Sequence, residues 1–307
     1  TRYGDISDSL TERTFTVRGL EDGMKLFILG LAAKVLLADR VGILWHEVQV
    51  TGFESISTPL AWLAAIAYSM EIYFDFWGYS LMAMGLGRMM GIELPANFRR
   101  PYMARSVRDF YRRWHMTLGQ WFCRYVYIPL GGSRQGELRT IFNLLVVWML
   151  TGIWHGAGWN FLFWGLWFAF FLILEKLFLG DILESVPKVF GRIYTLAVVL
   201  ISWVFFALES PGEILAYLQA MFGMNGIGPV NSLAMFLCNE YLVLLVIALV
   251  ACLPLGSRLV HALKSSKTGP AMALYRLGEK VIPAVLLLLS VAYIVDASYN
   301  PFLYFRF

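Results

Sequence analysis

What most limits the fold of this chain is a series of long apolar runs. They cover 57–86, 139–155, 157–179, 190–208, 233–255 and 280–297, and a further apolar helix carrying Lys25 and Lys34 is read at 22–45. A helix rises about 1.5 Å per residue, so about 20 residues cross a hydrocarbon core about 30 Å thick. Hydrophobic residues make up 59% of the 307, and charged residues 15%. A soluble domain averages about 45–50% and about 25%. A single globular core cannot hide that excess, so part of the solvent is lipid. The expectation is an all-α integral membrane protein, one membrane domain over 1–307, with about seven helices spanning or entering the bilayer. The 11 Trp, 15 Tyr and 23 Phe suit anchoring at the two interfaces.

Residues 88–139 change character. Arg88, Arg99, Arg100, Arg105, Arg108, Arg112, Arg113, Arg124, Arg134 and Arg139 lie there against Glu93, Asp109 and Glu137, ten positive charges to three negative. The resulting +7 exceeds the +4 of the whole chain. Aromatic residues interleave throughout. Between apolar runs, that mixture reads as interfacial or re-entrant helices rather than a nucleic-acid surface. The bias of basic residues to the cytoplasmic side places it there.

The rest of the chain reads more simply. The first twenty residues form a loop or surface helix, 211–231 a loop with one short amphipathic helix, and 256–279 a polar, basic loop. The tail 298–307 is an aromatic interfacial stop. Cys123, Cys238 and Cys252 form no CxxC pair and are expected to be small buried packing residues, with neither disulfide nor metal site. The opening Thr1-Arg2-Tyr3-Gly4 lacks Met and a signal peptide, and reads as the interior of a longer protein.

An ionisable side chain at membrane depth costs several kcal/mol unless it faces protein or water. His155 lies between two apolar runs in Thr151-Gly152-Ile153-Trp154-His155-Gly156-Ala157-Gly158. Imidazole titrates near 6.5, which suits a general base taking a proton from a hydroxyl that attacks a thioester. The glycines admit either a substrate or a packed neighbouring helix. His115 closes Arg112-Arg113-Trp114-His115, whose arginines suit the phosphates of a coenzyme or carrier group, or of lipid. Glu71 and Asp75 share a helix face, and Asp75 is expected to pair with an arginine. His46 and His261 read as surface histidines. Fingerprints for dinucleotides, nucleotide phosphates, zinc proteolysis and serine hydrolysis are absent.

Several segments resemble the membrane-bound O-acyltransferase family. They are Ile72-Tyr73-Phe74-Asp75-Phe76-Trp77-Gly78-Tyr79-Ser80, Leu94-Pro95-Ala96-Asn97-Phe98-Arg99-Arg100-Pro101-Tyr102, Asp109-Phe110-Tyr111-Arg112-Arg113-Trp114-His115-Met116-Thr117-Leu118, Tyr125-Val126-Tyr127-Ile128-Pro129-Leu130-Gly131-Gly132, Gly152-Ile153-Trp154-His155-Gly156 and Tyr299-Asn300-Pro301-Phe302. The bacterial alginate O-acetylation branch is nearest, and the teichoic acid D-alanylation branch is a near relative. The resemblance implies a multi-helix ring around a central tunnel, with His155 catalytic and His115 a second functional position. It implies a cytoplasmic thioester donor, acetyl-coenzyme A or an acyl carrier, with no bound cofactor. The acceptor is an extracytoplasmic polysaccharide, reached directly or through a periplasmic or extracellular partner protein. The resemblance also implies a bacterial inner membrane as the location. Members usually carry further N-terminal helices.

Trp154, Trp114 and Tyr79 are expected to shape the tunnel. Arg113 and Asn97 would organise its cytoplasmic mouth, and Asp75 is counted with these as a substrate-binding residue. Two other readings stay open at this point: D-alanyl transfer from a carrier protein, and a non-enzymatic transporter or scaffold.

Overall fold

The computed structural model describes residues 2–228, 231–266, 268–296 and 302. Among them every regular element is helical. The α-helices run α1 (Ser7–Thr11), α2 (Val17–Ala32), α3 (Asp39–Thr51), α4 (Thr58–Met89), α5 (Val107–Tyr111), α6 (Met116–Phe122) and α7 (Glu137–His155). They continue with α8 (Trp159–Leu174), α9 (Gly180–Ser185), α10 (Lys188–Ala207), α11 (Pro211–Met221), α12 (Ser232–Cys252), α13 (Leu255–Ser265) and α14 (Gly269–Asp296). Wider π-helical turns join α2 to α3 (Ala33–Ala38), follow α6 (Cys123–Tyr127) and join α8 to α9 (Glu175–Leu179).

Among the described residues, five helices are long and apolar enough to cross a membrane: Glu137–His155, Trp159–Ser185, Lys188–Ala207, Ser232–Cys252 and Gly269–Asp296. The expected runs at 22–45 and 57–86 are helical but fall outside that set. Lys34, Asp39 and Arg40 interrupt the first, and Glu71 and Asp75 the second. One expectation is corrected. The basic stretch 256–279 is helical rather than a loop, because α13 fills its first part and α14 begins at Gly269. The tail expected to be an interfacial stop lies outside the described residues, apart from Phe302.

The chain packs as two units. The first comprises Thr1–Ile43, Met70–Ala96 and Tyr241–Arg306. Within it α2 packs against the second half of α4 through glycines. A Cβ on Gly23 would sit 2.6 Å from the Gly85 carbonyl oxygen, and one on Gly85 would sit 2.6 Å from that of Gly23. Seven residues along each helix, Gly30 and Gly78 repeat the arrangement. Small residues let two backbones approach where no larger side chain fits, which is a packing habit of helices in lipid.

Also in this unit, Lys34 Nζ lies 2.7 Å from both Asp39 Oδ1 and Asp75 Oδ1. Lys34 and Asp75 are both buried. The partner of Asp75 is therefore a lysine, not the expected arginine. The π turn at Ala33–Ala38 carries that lysine on the wall facing α4.

The second unit comprises Leu44–Ser69 and Asn97–Glu240. α7 and α8 form a tight hairpin. A Cβ on Gly152 would strike the carbonyl oxygen of Phe161, and one on Gly165 that of Trp148. α10 joins α8 through Trp167 Nε1, which donates to the Val198 carbonyl at 3.0 Å. α11 is fixed to the start of α4. Thr58 Oγ1 donates to the Ala220 carbonyl (2.9 Å), Trp62 Nε1 to that of Met221 (2.9 Å), and Tyr217 Oη to that of Ala61 (2.7 Å). Of the cysteines, Cys252 is buried as expected, whereas Cys123 and Cys238 are exposed. His46 and His261 are exposed, as read.

Candidate functional site

The second unit holds a cavity of about 420 Å³ lined by His155, His115, Trp114, Tyr111, Trp148 and Trp164, among others. Each histidine reaches it by a local device. His155 is the last residue of α7, where the chain turns into the hairpin with α8. Its ring packs edge-on against Trp164 (centroids 4.9 Å) and Phe206 (5.2 Å), with Trp154 at 4.9 Å. The glycines around it serve packing. A Cβ on Gly152 would strike the Phe161 backbone, and one on Gly156 the Phe161 ring.

His115 sits in the left-handed region, φ 42° and ψ 55°, immediately before α6. A non-glycine residue there costs about 1–2 kcal/mol, so its surroundings must hold it. Asn97 provides the clamp. Its carbonyl accepts from Met116 N (2.9 Å), and its Oδ1 accepts from Thr117 Oγ1 (2.7 Å) and Thr117 N (3.3 Å). Arg99 N donates to the Arg113 carbonyl (2.9 Å) and closes the other side of the turn. Burial, and then the nearby His155, push the His115 imidazole down to about 3, so at neutral pH it is uncharged. Trp154 lies beside both rings, its centroid 5.9 Å from that of His115.

α5 carries the neighbouring cavity wall. Ser106 Oγ caps it by accepting from Asp109 N (3.0 Å). The Glu175 carboxylate accepts from Val107 N (2.6 Å) and Arg108 N (3.0 Å). A helix N-terminus leaves its first N–H groups without partners inside the helix, and here a buried carboxylate from a distant π turn satisfies two of them. Sequence reasoning missed Glu175. The signal available was a lone acid inside the apolar run 157–179. Arg108 and Arg112 of this segment line the cavity. Arg113 is tied instead to Asp109, with Nε 2.8 Å from Oδ1.

Of the eight residues singled out in the sequence, His155, His115 and Trp114 line the cavity and Trp154 touches both histidines. Trp114 is buried among Phe98, Phe110 and Trp203, with centroids 5.0, 5.5 and 5.0 Å away. Asn97 and Arg113 shape the turn around His115. Tyr79 and Asp75 belong to the first unit, where the Tyr79 ring meets Phe302 edge-on at 5.5 Å. Among the described residues, no group of three or more His, Cys, Asp or Glu side chains is placed to hold a metal ion.

Bilayer-length helices and an aromatic-walled chamber holding two imidazoles define an integral membrane protein with room for a reaction inside it. The chain belongs to the MBOAT, membrane-bound O-acyltransferase family, whose family model matches residues 26–211. It is 34% identical to a probable alginate O-acetylase AlgI of Pseudomonas putida, over 100% of this chain and 65% of that protein. It is 38% identical to a peptidoglycan O-acetyltransferase of Helicobacter pylori, over 68% of this chain and 40% of that protein. A teichoic acid D-alanyltransferase of Streptococcus thermophilus is 27% identical, over 58% of this chain and 45% of that protein. The chain therefore spans about two thirds or less of the length of these relatives.

Proposed function

We propose that the protein is a membrane-bound O-acyltransferase of the bacterial inner membrane. It moves an acetyl group from a cytoplasmic thioester toward a polysaccharide hydroxyl on the outer side, directly or through a partner protein there. The observation that carries this reading is the pairing of His155 and His115 on one aromatic-walled cavity in a chain of this family. Two acetyl-transferring relatives at 34% and 38% identity favour acetyl over D-alanyl, the latter represented at 27%.

In this reading the acceptor oxygen attacks the thioester carbonyl carbon while the His155 ring takes the hydroxyl proton. The carbonyl re-forms, the C–S bond breaks, and the proton passes to the departing thiolate. His115, neutral and fixed by the Asn97 clamp, orients the reacting groups. Arg108 and Arg112 face the phosphate of the donor, whether coenzyme or carrier-borne. The aromatic wall keeps water away from the thioester.

The test measures acetyl ester on exported polysaccharide in cells carrying His155→Ala at wild-type protein level. Ester is expected to fall to background. Undiminished ester in that variant overturns the proposal.

A further inference from the structure

The first unit contains an element that the acyl-transfer reading does not use. α13 (Leu255–Ser265) joins the end of one candidate span, Ser232–Cys252, to the start of another, Gly269–Asp296. It is sharply two-faced. Leu255, Leu259 and Leu263 recur every four residues and form an apolar stripe with Val260 beside it. Ser257, Arg258, His261, Lys264 and Ser265 occupy the opposite arc. The apolar stripe is poorly covered by the protein, since Leu255 is 47%, Leu259 61% and Val260 51% exposed. From Tyr241 to Gly278 the sequence holds Arg258, Lys264, Lys267 and Arg276 and no acidic residue.

We propose that α13 is a lipid-binding element, lying flat in the headgroup layer of the cytoplasmic leaflet and selecting anionic lipid. Three observations choose a lipid surface over a protein as its occupant. The spans on either side deliver the helix to the membrane boundary. A two-faced helix with a basic arc is the form that inserts its apolar side shallowly while the charges meet headgroups. The absence of acids over a whole inter-span stretch complements a negative surface, and by the positive-inside rule belongs on the cytoplasmic side.

The experiment uses the whole protein in lipid nanodiscs, with Cys123 and Cys238 replaced by serine. Leu259→Cys and His261→Cys are labelled in turn with an environment-sensitive fluorophore. A nitroxide lipid is expected to quench the label at 259, whereas a neutral aqueous quencher reaches it poorly; the label at 261 shows the reverse. Phosphatidylglycerol is expected to be retained by the purified protein in preference to phosphatidylcholine. Arg258→Gln with Lys264→Gln is expected to weaken that preference about 30-fold, the factor for two basic residues near an anionic surface. A label at 259 open to the aqueous quencher overturns the proposal, as does one shielded from both quenchers, which would mean a protein covers the stripe. Equal retention of the two lipids by wild type and the double variant overturns the anionic preference.

Discussion

His115 shows how a single residue can be costly and retained. Its backbone lies where a Cβ is crowded, and Asn97 holds the turn from the far side. Glycine adopts that conformation without the crowding. His115→Gly is therefore expected to leave a more stable protein than His115→Ala, by about 1 kcal/mol, while both lose acyl transfer; thermal unfolding in detergent measures the first and acetyl release the second. Equal stability of the two variants would mean that the turn is not strained. The arginines divide in the same local way. Arg113 is neutralised by Asp109, whereas Arg108 and Arg112 line the cavity. Arg108→Gln and Arg112→Gln are each expected to raise the KM for acetyl-coenzyme A about tenfold, the loss of one charge-assisted hydrogen bond, with kcat little changed. Arg113→Gln should act mainly on protein yield. His155 and His115 stood out in the sequence because an ionisable ring is costly at membrane depth, whereas Trp114 came in only with the family resemblance, as an expected tunnel wall. The sequence could not separate Arg112 from Arg113, since both lie in the turn after α5 and only the Asp109 carboxylate, which takes Arg113, distinguishes them.

Among the elements, the clearest reading was that of long apolar runs, whose ends agree with the helices to within a few residues at 139–155, 190–208 and 233–255. The failure at 256–279 has a physical cause. Its polarity resembled that of a loop, yet leucines every four residues carry the helical period that polarity masks. Glu175 and Lys34 were illegible for another reason: each acts across space from a π turn, and no sequence spacing announces such a partner. The glycine contacts between α2 and α4 yield an element-scale prediction. Gly85→Ala places a methyl against backbone that cannot swing aside, and is expected to destabilise by about 1–3 kcal/mol. Gly256→Ala on α13 meets nothing within 4 Å and is expected to be neutral or stabilising by up to about 1 kcal/mol. Recovery of monodisperse protein after graded heating compares the two, and equal recovery would remove the close-packing argument.

At the scale of the whole molecule, charge and hydropathy together predict an orientation. With the basic segment 88–139 placed on the cytoplasmic side, as the positive-inside rule predicts, the three candidate spans Glu137–His155, Trp159–Ser185 and Lys188–Ala207 are expected to lead outward at Ser210. A further candidate span, Ser232–Cys252, is expected to return the chain to the cytoplasm at Ser265. Alkaline phosphatase fused after Ser210 is expected to be active, and the same enzyme fused after Ser265 inactive; the opposite pattern would invert the assigned sides. All-helical membrane character was legible from the long apolar runs together with the composition. The division into two packing units was not, because it depends on α4 contributing its first residues to one and its remainder to the other.

The α7–α8 hairpin has a consequence for how such a site can change. Glycine meets main chain across it, Gly152 at Phe161 and Gly165 at Trp148, while the aliphatic residues Leu144, Val147 and Leu172 line the cavity. On the proposed function, exchanging those aliphatic side chains is expected to admit a larger or more polar acyl group while the glycine contacts hold the hairpin that carries the imidazole. On that reading a lineage diversifies its cargo while the imidazole keeps its place.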